Sequence, residues 1–432
     1  MNLSYAAYIA LTSTLFISAF PPLWLCTRLS GRYNKGLKER LGFIPHTLLQ
    51  DFTGTPLIWI HAVSLGEVKV AATIIDSLRR LMPDCSVILS TTTDHGRELA
   101  RETFKEDVPV VYAPIDTIFS VRNALSRVRP NVMVFLETEI WPAWLAEAHR
   151  MGIKIALING RISVRSIRRY LKFRPFFREV LKNVDSFSMI LEEDAGRIRD
   201  MGADPQKIEI NGNAKYDLLV SQANPLMKKE MRQILNLHPS RNVFVAGSTR
   251  EGEENIVLDV HEKILKQFPD TILVIAPRHI DRTPVIESLL RARGINYQLR
   301  TGIGEGGAKR TAPVVIMNTF GELFKLYSVG TINFCGASMV PLGGQNPLEA
   351  AVWGKVVFYG PSMEDFMDAK ALLESVDAGI AAADPEILAE KAIWFLNHQD
   401  ALKSYGARAR DAVMRNNGAA EKHAKVVAGL LR

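Results

Sequence analysis

The sequence predicts an α/β protein of two doubly wound domains facing a cleft, preceded by an N-terminal membrane-anchor helix. Three observations predict it. Near-continuous apolar runs of strand length alternate with amphipathic segments; the alternation restarts after a polar stretch near residue 220; and the chain begins with a long apolar run free of charge. The expected limits are 1–27 for the anchor, 28–222 for the first domain and 223–432 for the second. A length of 432 residues fits two or three domains at about 150 residues each. With 47% hydrophobic and 23% charged residues, the composition is that of a globular chain.

From Leu3 to Leu25 there are 23 residues without a charge, enough to cross a hydrocarbon core that needs about 20. The flank that follows carries Arg28, Arg32, Lys35, Lys38 and Arg40 against Glu39 alone, which keeps this side and the main body in the cytoplasm. A cleaved signal peptide is the competing reading, without a basic n-region or a small-x-small cleavage site to support it. Pro21-Pro22 can end or kink the helix, so a shallow insertion stays open.

In the first domain "PLIWIHAV", "SVILSTTT", "VPVVYAP", "NVMVFLE", "IKIALING" and "SFSMILEE" read as strands. Segments such as "VKVAATIIDSLRRLM" read as the helices between them. Strands apolar on both faces predict a parallel sheet covered on both sides. After the polar linker "YDLLVSQANPLMKKE", the runs "NVFVAGS", "TILVIAPRH", "PVVIMNT", "TINFCGAS" and "KVVFYGP" predict a second such sheet. The chain after Pro385 reads as helical throughout. In sheets of this kind ligands bind at the carboxyl ends of the strands.

A net charge of +7, from 53 Lys+Arg and 46 Asp+Glu, fits an anionic surface or substrate without choosing among nucleic acid, membrane and sugar phosphate. Cys26, Cys85 and Cys335 are odd in number, far apart and lack a C-x-x-C pair, so neither a disulfide framework nor a cysteine zinc site is indicated. There is no Asp-x-Asp pair, P-loop, H-E-x-x-H or G-x-S-x-G. Metal-dependent diphosphate chemistry and serine acyl transfer therefore lose support, and no metal or cofactor is expected.

Four stretches carry candidate chemistry. In "HAVSLGEV", Ser64-Leu65-Gly66-Glu67 fits a capping box, with Ser64 as the cap and Glu67 reaching back. Glu67 also stands at a strand's carboxyl end beside a glycine, where a substrate can approach, so capping and proton transfer both remain open. In "GGQNPLEAAVWGK", Gly343-Gly344 gives a turn, Asn346 can cap, Pro347 suits the first helical position and Glu349 the third. Such a helix end is suited to phosphate, and Glu349 to a ribose diol. The strand "NVFVA" ends in Gly247-Ser248 and then Arg250, while Arg278 and His279 end the next one; Lys215 near the linker adds a further cation. Finally, Arg161 to Lys182 holds eight basic residues, among them Arg161, Arg165, Arg168 and Arg169, interleaved with Tyr170, Phe173, Phe176 and Phe177. That pattern suits an anionic membrane surface, with a nucleic-acid patch and a plain solvated helix as the rival readings.

Taken together and in order, these stretches resemble the 3-deoxy-D-manno-octulosonic acid (Kdo) transferases of lipopolysaccharide synthesis. The pieces are the anchor and its basic flank, "HAVSLGEV", "PIDT", "ETEIWP", "NGRISVRS", "GNAKYD", "GSTREGEE", "APRH", "NTFGELFKLY" and "GGQNPLEA…WGK…GP". The resemblance implies a GT-B glycosyltransferase with two Rossmann-like domains, CMP-Kdo as donor and lipid IVA as acceptor. It also implies an inverting, metal-independent transfer at the bacterial inner membrane, with inner-membrane lipids as neighbours and no nucleic acid. Glu67 matches the family's catalytic carboxylate. Glu137 and Glu139 match its acceptor-side acidic motif, with Arg161, Arg165, Arg168 and Arg169 beside them. Lys215, Ser248, Arg250, Arg278, His279, Gly344, Asn346 and Glu349 fall on the donor side. The chain departs from many members at Gln345 and Asn318. A GT-B enzyme using a UDP-sugar and a lipid acceptor is the alternative, and a non-enzymatic membrane scaffold the second.

Overall fold

The computed structural model describes Tyr8, Thr14, Ser18 and residues 36–48, 54–304 and 307–431, with the side chain of Arg165 excepted. The expected anchor over 1–27 lies outside the described residues apart from those first three. Among the described residues no helix is long and apolar enough to cross a membrane.

The chain forms two compact units, Met1–Leu218 with Gly418–Arg432, and Leu219–Asn417. The first holds seven parallel strands: β1 (Leu57–His61), β2 (Ser86–Thr91), β3 (Val110–Tyr112), β4 (Val132–Leu136), β5 (Lys154–Gly160), β6 (Ser186–Met189) and β7 (Ile208–Ile210). Their order is β3-β2-β1-β4-β5-β6-β7, so the winding reverses between β1 and β4. Side chains alternate across the sheet. Trp59, Met133, Phe135 and Leu157 enter one buried layer, while Ile58, Ile60, Val132, Val134 and Ala156 enter the other. Both faces are therefore covered, which is why these strands read as unbroken apolar runs.

The second unit holds β8 (Val243–Thr249), β9 (Ile272–Pro277), β10 (Tyr297–Leu299), β11 (Val314–Ile316), β12 (Ile332–Cys335), β13 (Val357–Tyr359) and β14 (Gly379–Ala381). The order is β10-β11-β9-β8-β12-β13-β14, again all parallel, reversing between β8 and β12. Phe244, Leu273, Ile275 and Phe334 pack there with Val257, Leu258 and Ile264 from helix Glu253–Leu265.

Three features differ from the sequence reading. The polar linker is helical, as Ala214–Gln222 and Pro225–Ile234. Residues 418–432 belong to the first unit, although the expected second domain ran to 432. The reason is the last helix, Ala419–Gly429, whose Ala420, Ala424 and Val427 join the buried layer of Val68, Ala71 and Ile75 from helix Leu65–Leu81 and Ala156 from β5. Finally, β7, β10 and β14 were not expected; each is three residues long and lies at a sheet edge.

Candidate active site

In the first unit the reversal of winding puts the carboxyl ends of β1 and β4 side by side, the position where such sheets bind ligands. Glu67 comes from the first end. It sits in the opening turn of helix Leu65–Leu81, capped by Ser64, whose hydroxyl accepts from Glu67 N at 3.3 Å. The carboxylate reaches back: Oε1 accepts from the Ser64 hydroxyl at 2.9 Å and Oε2 from Val63 N at 2.9 Å. Ser64 is thus the cap that was expected, while Glu67 reaches one residue farther back, to Val63 N and not to the N–H of Ser64 as a capping box requires. Each oxygen still has a second lone pair, so capping leaves the carboxylate able to take a proton. Glu67 is 7% exposed. Burial chiefly, with the nearby Glu137 and Glu139 adding to it, pushes its pKa up to about 7, against the lowering pull of the Val63 N–H.

From the end of β4 come Glu137 and Glu139. Glu137 leaves the strand in the left-handed region, φ 53°, uncommon for a residue with a side chain. Its carboxylate forms an ion pair with Lys215 Nζ at 2.6 Å, although the geometry is not that of a hydrogen bond and Oε1 has no donor. Lys215, grouped with the donor side in the sequence reading, thus stands in the first unit beside Glu137, which that reading grouped with the acceptor side. Glu139 accepts from the Trp141 indole, and burial holds its pKa above the usual range. His61, which opens the motif, is buried. Its Nδ1 lies 3.0 Å from Ser90 Oγ, its ring stacks on Trp144, and burial lowers its pKa to about 4. It stays neutral and packs rather than titrates.

The first turn of helix Ala214–Gln222, which carries Lys215, and the turn before it are held by groups that the sequence reading missed. Asn159, at the end of β5, accepts from Ala214 N at 2.9 Å. His423 of the last helix lies 2.7 Å from Ser188 Oγ and 3.0 Å from Gly212 O. Asp217 accepts from Gly418 N at 2.8 Å. Nothing local in the sequence joins residues 423 and 188, so only the fold shows this clamp.

The basic stretch forms two helices, Val164–Lys172 and Arg174–Leu181, broken at Phe173 with Pro175 in the first turn of the second. Tyr170, Phe176 and Phe177 pack against the core, so the aromatic half of the membrane pattern is largely structural. Phe173 is 54% exposed and Val164 64%. Arg168 and Arg169 are exposed and Arg161 half-buried. The Tyr170 hydroxyl feels both Glu139 and Arg169, so the last turn of this helix lies near the carboxylate cluster.

In the second unit Ser248 is the penultimate residue of β8 and Arg250 follows the strand, Arg278 and His279 follow β9, and Gly344, Asn346 and Glu349 lie beyond β12. Arg250 and His279 meet side chain to side chain, and Arg278 N donates to Thr249 O at 3.0 Å. The glycine turn is required: Gly343 and Gly344 have φ of 83° and 76°, and a Cβ on either would fall 2.5 Å from Asp365 Oδ2 or Met363 Sδ. Asn346 accepts from Leu348 N at 3.1 Å. The helix there, Leu348–Ala351, is one turn long, with Pro347 as its N-cap. Its dipole is correspondingly small, which corrects the expectation of a helix-end phosphate site. Among the described residues no group of three or more His, Cys, Asp or Glu is arranged to hold a metal ion.

Residues 35–218 match the family model described as 3-deoxy-D-manno-octulosonic-acid transferase (kdotransferase). The chain is 30% identical to the 3-deoxy-D-manno-octulosonic acid transferase of Haemophilus influenzae over 421 residues, covering 95% of this chain and 96% of that one. It is 34% identical over 348 residues to a bifunctional glycosyltransferase/methyltransferase of Fusobacterium nucleatum, covering 79% of this chain but only 53% of that longer protein. A solved glycosyltransferase from Rickettsia africae superposes with a TM-score of 0.61 at 14% identity, over 88% of this chain and 99% of that one. That likeness is one of fold, and the fold is GT-B-like.

Proposed function

The chain belongs to the 3-deoxy-D-manno-octulosonic acid transferase family, and from that premise we propose that it moves Kdo from CMP-Kdo to lipid IVA, with Glu67 as general base. The observation that carries this reading is the state of Glu67: a carboxylate held in place by two hydrogen bonds, at the switch point of a parallel sheet, with a pKa near 7. A base poised near the working pH combines availability with proton affinity.

In the proposed step, the acceptor hydroxyl gives its proton to the Glu67 carboxylate as its oxygen bonds to the anomeric carbon of Kdo. The bond from that carbon to the CMP phosphate oxygen breaks, and CMP leaves with the electron pair. Displacement from the opposite face inverts the anomeric centre. Arg250, with His279 against it and Arg278 on the adjoining strand end, supplies fixed positive charge for the leaving phosphate. The glycine turn at 343–344 gives the nucleotide close access to backbone. Lys215, in the first unit, is suited to the carboxylate of Kdo or to the departing phosphate. Glu137 and Glu139 are suited to hydroxyls of the acceptor sugar.

The location proposed is the bacterial inner membrane, with residues 1–27 as anchor and the exposed Arg168, Arg169 and Phe173 facing anionic lipid or the acceptor's phosphates. No metal is assigned a role, so transfer is expected to persist undiminished in EDTA. The test is transfer from CMP-Kdo to lipid IVA, with CMP and UDP compared in thermal melts. Stabilisation by CMP and formation of a Kdo-bearing lipid support the reading. Stabilisation by UDP alone, without Kdo transfer, replaces it with a UDP-sugar transferase.

A further inference from the structure

In the second unit one carboxylate joins the two loops that carry the donor-side residues. Glu253 opens helix Glu253–Leu265 and is fully buried. Its Oε2 accepts from Ala337 N at 2.7 Å and Arg250 N at 2.9 Å; its Oε1 accepts from Ser338 N at 3.0 Å and Met339 N at 2.9 Å. Three successive backbone N–H groups turned toward one anion make a nest, a concavity that commonly receives phosphate. Here the chain's own carboxylate fills it, at the positive end of a helix of 13 residues.

The two loops joined in this way are strained and in contact. β8 and β12 are neighbours. Their chains turn away through Ser248 at φ 57° and Ala337 at φ 58°, conformations that persist only when the surroundings enforce them. Gly336 lies so near that a Cβ on it would be 2.5 Å from Ser248 O. Glu253 bonds the residues just beyond both turns, Arg250 on one side and 337–339 on the other.

We propose that Glu253 is a positioning residue for the nucleotide-sugar donor, an internal anion that occupies the 337–339 nest, fixes Arg250 to it, and leaves the donor's phosphate to the Arg250 side chain and the 343–344 turn. The inference rests on the reading of this unit as the donor site. It also explains why a carboxylate stands there: a Gln would turn an NH2 toward backbone N–H groups, losing acceptors and adding a donor clash.

The test compares Glu253→Gln, Glu253→Asp and Glu253→Ala with wild type, reading the melt, the CMP-induced shift of the melt, and KM for donor and acceptor separately. The expected result for Glu253→Gln is a folded protein whose donor KM rises about tenfold or more while its acceptor KM stays within about twofold. Formate, small enough to enter the emptied nest, should restore much of the donor affinity of Glu253→Ala, and an equal concentration of chloride should restore less. If Glu253→Ala folds only with formate present, the nest needs its anion, as proposed. If no Ala variant folds, Glu253→Asp, which keeps the charge at a shorter reach, decides by the same split of KM values. A folded Gln or Asp variant with unchanged donor KM and an unchanged CMP shift overturns the inference. A wild type that transfers no Kdo and is stabilised by neither CMP nor UDP defeats the reading of the site, and this inference with it; loss confined to the variants cannot be confused with that outcome.

Discussion

Glu67 joins two roles that look exclusive in a sequence. Ser64-x-x-Glu67 was legible as a capping box, and the structure has that cap, yet the carboxylate that completes it is also buried beside Glu137 and Glu139. The pattern could reveal the cap; only the fold reveals the neighbours that raise the pKa. Since Glu67 is ionised only above about 7, kcat/KM for the acceptor should fall about tenfold per pH unit below that value, as a pH profile would show. The stability sign runs the other way. Burial raises this pKa above its usual 4.5, so the contribution of Glu67 to stability is complete below that value and is lost as pH rises through about 7. Glu67→Gln should therefore gain on wild type in melting temperature between pH 5 and pH 8. Lys215 bears on the same group through Glu137, which it neutralises at 2.6 Å. Lys215→Met leaves Glu137 uncompensated and should move the midpoint of the pH profile upward by a few tenths to one unit; an unmoved midpoint would mean that the pair is remote from the base.

At the scale of elements, long apolar strands were legible and short edge strands were not. β4, "VMVFL", is buried at every position, whereas β7, "IEI", is half-exposed at best and three residues long, too brief for any periodicity. The last helix was legible as a helix, but its place was not, because Ala420, Ala424 and Val427 specify an apolar stripe without naming its partner. His423 names it in the structure. It is fully buried, bonded to Ser188 and Gly212, and holds the turn that leads to Lys215. His423→Ala should cost roughly 2–4 kcal/mol in denaturant unfolding, from a cavity plus buried groups left unpaired. The basic helices Val164–Lys172 and Arg174–Leu181 show the opposite error: their aromatics suggested membrane contact, yet Tyr170, Phe176 and Phe177 serve the core. What remains for a membrane is charge, with the exposed Phe173 and Val164 beside it. Neutralising Arg165, Arg168 and Arg169 together should weaken binding to anionic vesicles on the order of a hundredfold, at about 1 kcal/mol per residue near the surface; unchanged vesicle binding and unchanged acceptor use would remove this helix from the account.

At the scale of the molecule, the sequence announced two parallel sheets because each buries both faces, and the restart near residue 220 announced that there are two. Where the chain divides was less legible, since the return of residues 418–432 to the first unit depends on contacts between the two ends of the sequence. The candidate sites follow the same division. Residues at strand ends, Glu67, Arg250 and Arg278, were found because a carboxylate or guanidinium after an apolar run stands out, whereas Glu137 came only from the family resemblance. Residues that hold those ends in place, Asn159, Glu253 and His423, were missed because their partners are backbone groups or, for His423, also a serine 235 positions away, which leave no mark in a sequence. A GT-B-like fold serves many nucleotide sugars, so the central claim is chemical and rests on one carboxylate. It is tested most directly by Kdo transfer from CMP-Kdo to lipid IVA with wild type and Glu67→Gln, each with its thermal melt. Gln preserves the shape of the cap but cannot serve as the base. The account predicts a loss of transfer of about a hundredfold or more with a melt at neutral pH no lower than wild type. Transfer retained alongside a lowered melt would contradict it, and would leave Glu67 with the cap alone.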